Sequence, residues 1–215
     1  MATVEDLLND TEITAFLKAN QAASKEIKTA ADFLAQTSDA KKALVKLLPC
    51  LVSKEIRVFF SYKKKDEDTA RAIVDLLRKW SAGKLKITYQ YEFGDDIVGK
   101  KWREKIHSEI GMANWFILLL PDPRDDWDWC LYETGLFEAQ VTSADRLICL
   151  HHPDTDIPNP IEGYQSVMAT HDDIEKFLQM VFINNNPVYG LGPVNSSIAK
   201  EIPALADEIV NVIRT

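Results

Sequence analysis

The chain has 215 residues, of which 46% are hydrophobic and 9% aromatic, enough apolar material to bury a core and to exclude disordered and fibrous classes. Lys and Arg total 25 against 33 Asp and Glu, so the net charge of −8 disfavours general attraction to nucleic acid or to an anionic membrane surface. The three cysteines, Cys50, Cys130 and Cys149, show no CxxC spacing, which speaks against a disulfide framework or a zinc knuckle and fits a reducing cytoplasm.

The opening MATVEDLLND carries acids where a signal peptide needs a basic and then an apolar run, and the longest apolar stretch, 115–120, is too short to span a bilayer. A soluble, intracellular protein is expected. Residues 1–53 contain no glycine and one proline, Pro49, and read as short amphipathic helices. Ser24 and Thr29 resemble cap positions, while Leu34, Leu44, Leu47, Leu48 and Leu51 supply apolar faces. Such an extension serves either as a small bundle covering the core or as a docking and self-association element.

From Ile56 the period changes. Residues 56–61 form a β-branched and aromatic run, and 67–80 place Ala70, Ile73, Val74 and Leu77 at helical spacing, so the pair reads as a β–α unit. A second strand over 85–91 leads through the loop 93–99 into a helix over 100–110. A third, 114–120, is continuously apolar, as a central parallel strand covered on both faces should be, and is followed by a helix over 128–140. A fourth strand covers 146–150, a short helix 172–181, and a final helix 197–213, in which Pro203 is a weak point. This alternation predicts an α/β fold, a doubly wound parallel sheet of flavodoxin-like size over 54–215, with ligands bound beyond the carboxyl ends of the strands.

Three loops at that edge carry the chemistry. Ser61-Tyr62-Lys63-Lys64-Lys65 joins a hydroxyl, an aromatic ring and three cations, suited to phosphate groups or simply a solvated lysine run. Neither GxGxxG nor GxxxxGK[ST] occurs, so a standard dinucleotide fold or P-loop is disfavoured. In the third loop, Trp129 and Glu133 stand at i and i+4 of the helix from Asp128, with Cys130 beside them. A carboxylate held against a large ring has a raised pKa or serves a developing cation; the plainer reading is a helix glutamate beside a core tryptophan, with Glu138 one turn further as the exposed alternative. His151 and His152 diverge at a strand end, so no metal site is expected there, even with Asp154 and Asp156 nearby. His107 and His171 stand alone on helices, and Cys130 lacks a histidine base.

These residues resemble a family. Residues 56–62 are similar to the opening box of Toll/interleukin-1 receptor (TIR) domains, Gly99-Lys100-Lys101-Trp102 to the end of their second-strand loop, and Trp129-Cys130-Leu131-Tyr132-Glu133 to the motif of their NAD-cleaving bacterial-type members. The resemblance covers roughly 54–215 and implies a five-stranded TIR fold and an NAD+ glycohydrolase. Glu133 is then catalytic, and Ser61, Tyr62, Lys63, Glu92, Gly99, Trp102 and Trp129 border the substrate. It also implies NAD+ as substrate with no cofactor or metal, self-association through TIR–TIR contacts, and a signalling role in bacterial immune defence or as an effector. The rival expectations are a non-catalytic TIR scaffold and a nucleoside deoxyribosyltransferase-like enzyme.

Overall fold

The strand β1 (Ile56–Ser61) lies one in from the edge of a five-stranded sheet, with β2 (Leu85–Tyr89) on one side and β3 (Trp115–Leu120) on the other. Beyond β3 lie β4 (Arg146–His151) and β5 (Gln165–Met168), giving the order β2-β1-β3-β4-β5 with every pairing parallel. The computed structural model describes residues 3–37, 39–53, 55–89, 100–124, 126, 128–142, 146–184, 190–191 and 197–214, with backbone alone at 22, 49, 50, 53, 100 and 160. The chain winds outward through β2, then turns back through β3 to β5. The winding reverses between β1 and β3, which is where an open α/β sheet forms its ligand crevice.

Alternation along the strands sorts side chains into two cores. Val58, Phe60, Ile117 and Ile148 pack against α5 (Glu67–Trp80), α8 (His171–Phe182) and α9 (Ile198–Arg214). Phe59, Phe116, Leu118 and Cys149 pack on the other face against α6 (Lys100–Met112) and α7 (Asp128–Glu138). Each fully buried Phe contributes about 2 kcal/mol by leaving water, and β3, buried at all six positions, joins β1 and β4 in feeding both cores. Asn114 binds the amino end of the sheet together: its N–H donates to Arg57 O, its Oδ1 accepts the Arg57 N–H, and its carbonyl accepts from Arg146 N. Between α5 and β2 the chain turns through Ala82 and Gly83, both with positive φ, and glycine takes the wider angle of +80° without cost.

The N-terminal helices are α1 (Val4–Leu8), α2 (Thr11–Ala19), α3 (Ser24–Leu34) and α4 (Ala40–Ser53). They keep an apolar cluster of their own, in which Leu34, Leu44, Leu47, Leu48 and Leu51 are buried as their spacing predicts. The predicted caps differ. Thr3 and Asp10 cap α1 and α2, whereas Ser24 is already inside α3 because the chain enters through a 3-10 turn at Gln21–Ala23. Thr29 lies mid-helix and donates its hydroxyl back to Lys25 O at 2.9 Å. Pro203 removes one backbone hydrogen bond from α9, yet the buried stripe of Ile198, Ile202, Leu205, Ala206, Ile209 and Ile213 carries the helix past it. Among the described residues no helix is long and apolar enough to cross a membrane.

Candidate active site

Ser61 ends β1 in the parity of Phe59, so its side chain points to the α7 side of the sheet. Coming from that side, α7 buries Cys130, Glu133, Thr134 and Phe137 against the strands. The two elements meet where Ser61 Oγ donates to Glu133 Oε2 at 2.5 Å, with both side chains fully buried. Glu133 Oε1 accepts no hydrogen bond from the described residues. Burial pushes the Glu133 carboxyl up to about 7, while Ser61 and the neighbouring Trp129 indole pull it partly back. Near neutral pH the group therefore exchanges a proton readily, as a carboxylate that accepts one or an acid that donates one.

An aromatic wall runs beside it. The Trp129 ring lies 5.4 Å from that of Trp102 on α6, tilted 32°, and 5.1 Å from that of Tyr132 one turn along α7. A hydrogen bond of 2.9 Å joins the Tyr132 hydroxyl to His107 Nε2. Trp102 and Trp129 are half-buried and Tyr132 is exposed, so the wall ends in solvent. Flat apolar faces of this kind suit a planar heterocycle.

The remaining expected residues distribute unevenly. Tyr62 is 1% exposed and belongs to the opposite core, its ring 5.8 Å from that of Tyr89, so strand alternation separates it from Ser61 and Glu133. Lys63 reaches the loop after β3, its Nζ 2.7 Å from Asp126 Oδ1, and holds the Asp126 carboxyl below the usual range. Lys65 likewise meets Asp122 at 3.1 Å. The lysine run thus bridges two loops rather than standing as a solvated tail. Glu92 and Gly99 lie outside the described residues.

Of the other candidates, Cys130 stays beside Ser61 and Glu133. Burial pushes the Cys130 and Cys149 thiols up to about 12, which leaves them protonated and poor nucleophiles. His151 is buried, donating Nδ1–H to His152 O at 2.8 Å and accepting from Ser166 Oγ at 2.7 Å, and burial holds it below its usual pKa. Among the described residues no group of three or more His, Cys, Asp or Glu is placed to hold a metal ion. Glu138 is exposed and accepts the Tyr164 hydroxyl. His171 does not stand alone: it meets Asp207 at 2.6 Å and Glu175 at 3.4 Å. Sequence reasoning missed Tyr132 and His107 as parts of the wall; the i, i+3 spacing of Trp129 and Tyr132 was the available signal, and His107 left none. No protein-family model, curated protein or solved structure matches the chain, so these side chains carry the functional argument themselves.

Proposed function

We propose that the chain is a TIR-type NAD+ glycohydrolase, cleaving the bond between nicotinamide and ribose to release nicotinamide and either ADP-ribose or a cyclic isomer. The observation that carries this reading is Glu133: a buried carboxyl at the sheet's switch point, one oxygen held by Ser61 and the other uncommitted, beside an aromatic wall.

The chemistry asks for little more. As the C1′–N bond breaks, its electron pair leaves with a neutral nicotinamide, so no strong acid is needed, and the ribose becomes oxocarbenium-like. An ionised Glu133 stabilises that positive charge in a site where water does not screen it, and Trp129 and Trp102 offer faces for the departing ring. The incoming oxygen or nitrogen bonds to C1′ and sheds a proton, which a carboxylate titrating near 7 accepts. Keeping Glu133 charged in the fold costs about 3 kcal/mol, from a pKa raised from 4.5 to about 7, a cost that serves no purpose in a scaffold working by surface contact alone.

Glu133 has no exposed surface, so a substrate reaches it only when the carboxyl-edge loops part. By resemblance to TIR enzymes, the second-strand loop of one copy completes the site of the next, and turnover rises with protein concentration. The proposed setting is the bacterial cytoplasm, in immune defence or effector signalling. Incubating concentrated protein with NAD+ and following nicotinamide release tests the reading.

A further inference from the structure

A second cleft, of about 470 Å3, opens at the same edge of the sheet, between the turn into α5, the loop after β3, the residue following β4 and the last turn of α9. Neither Ser61 nor Glu133 lines it. Its lining reverses the sign of the chain: Lys65, Arg124, Arg214 and His152 face only Asp66 and Asp122, in a protein of net charge −8.

The hydrogen bonding there is lopsided. Lys65 and Arg124 both reach Asp122, each at 3.1 Å, so one carboxylate serves two cations, and together they hold it ionised far below the usual range, Arg124 more than Lys65. Arg214 donates Nε to Ala169 O at 2.9 Å, which anchors the guanidinium, and among the described residues no carboxylate pairs with it. His152 Nδ1 accepts the backbone N–H of Asp154 at 3.1 Å and lies 3.8 Å from the Asp154 carboxylate, so the neutral ring carries its proton on Nε2, and no described residue accepts from that nitrogen. An anchored guanidinium with its Nη donors unspent among the described residues and an imidazole N–H thus line one cavity with the Lys65 and Arg124 cations. That donor surplus matches a tetrahedral anion with several acceptor oxygens better than a carboxylate with two. The volume lies within the range of small-molecule pockets and leaves room for more than the bare ion.

We propose that this cleft binds the phosphate of a nucleotide-sized ligand, with Arg214 and His152 as the principal donors and Lys65 and Arg124 supplying the field. Two sources share that chemistry: the diphosphate of a dinucleotide whose glycosidic bond reaches Glu133, or a separate phosphorylated effector. Phosphate binding itself is independent of any role for Glu133.

The test is calorimetric titration of the full chain with inorganic phosphate and with AMP, alongside Arg214→Gln and His152→Gln. The wild type binds both saturably and AMP more tightly, and each variant loses at least tenfold in affinity while its circular dichroism spectrum is unchanged. Should Arg214→Gln fold poorly, Arg124→Gln replaces it, since that side chain is 88% exposed. Absence of saturable binding in the wild type, or equal affinity in all variants, overturns the proposal. With binding established, Glu133→Gln protein separates the sources: NAD+ displaces AMP if the cleft serves the dinucleotide, and binds alongside AMP if it serves an effector. Either result supports a phosphate site.

Discussion

Ser61 Oγ lies 2.5 Å from Glu133 Oε2 although the two residues are 72 apart in sequence, and this bond joins the end of β1 to the helix that carries the candidate catalytic carboxyl. Ser61 leaves Oε2 committed and Oε1 available, and it favours the ionised form of a group that burial pushes toward neutrality. Ser61→Ala removes that support and raises the Glu133 pKa above about 7. If the carboxylate is the working form, the acid limb of the pH–rate profile moves to higher pH, and nicotinamide release at pH 6 falls about tenfold, the worth of one hydrogen bond to a charged group. At pH 9 the loss is much smaller. A uniform loss at every pH would assign Ser61 a purely structural role.

Glu133 also carries a stability signature. Its folded pKa of about 7 stands above the ordinary glutamate value of 4.5, so the folded state binds more protons than the unfolded one between those values. Stability therefore falls as pH rises through that window, and the full penalty is present above about 7. Glu133→Gln removes the penalty of about 3 kcal/mol, so the variant melts roughly 6 to 12 °C above wild type at pH 8, with the difference vanishing near pH 4. Paired thermal melts across pH 4 to 8 read this directly, and a variant that is less stable at pH 8 contradicts the assigned burial cost.

His151 bears on the same pH range with the opposite sign. Its folded pKa is depressed by burial, so the unfolded chain binds the extra proton as pH falls through 6.5, and stability is lost on the acidic side. His151→Gln retains polar contact with Ser166 without titrating. Below pH 6 the variant loses less stability than wild type, measured by denaturant midpoints at pH 5 and pH 8.

Trp129 contacts two rings at once, Trp102 at 5.4 Å and Tyr132 at 5.1 Å. Truncating it to Ala destabilises the fold by about 2 kcal/mol, less than a fully buried Trp because the ring is half-exposed, whereas Trp129→Phe restores most of that. In the enzyme assay Trp129→Phe raises KM more than it lowers kcat if the ring holds nicotinamide. Equal changes in both, at matched stability, argue against a substrate-facing ring.

Some of this architecture is legible in the residues and some is not, for physical reasons. The bounds of β1 and α5 match the pattern residue for residue, because an alternating or fully apolar run and a four-residue apolar stripe are local signals. The four residues of β5, Gln165 to Met168, include only one buried position, so nothing in their polarity announces a strand; pairing with β4 creates it. The α7 helix exposes Trp129 and Glu133 as an i, i+4 pair in the sequence, but their partner Ser61 comes from another element, and only the sheet brings it within reach. Tyr62 follows Ser61 in the chain and so looks like its companion, yet consecutive residues leave a strand on opposite faces. The pairing of Lys63 with Asp126 and of Lys65 with Asp122 depends on two loops meeting at the switch point, which no local spacing encodes.

The most direct test of the central claim is nicotinamide release from NAD+ by concentrated protein at pH 7.5, wild type against Glu133→Gln, with both confirmed folded by their melts. Turnover rises with protein concentration in the wild type and falls at least a hundredfold in the variant. Equal turnover in the two, or no nicotinamide released by the wild type at any concentration, would contradict the claim.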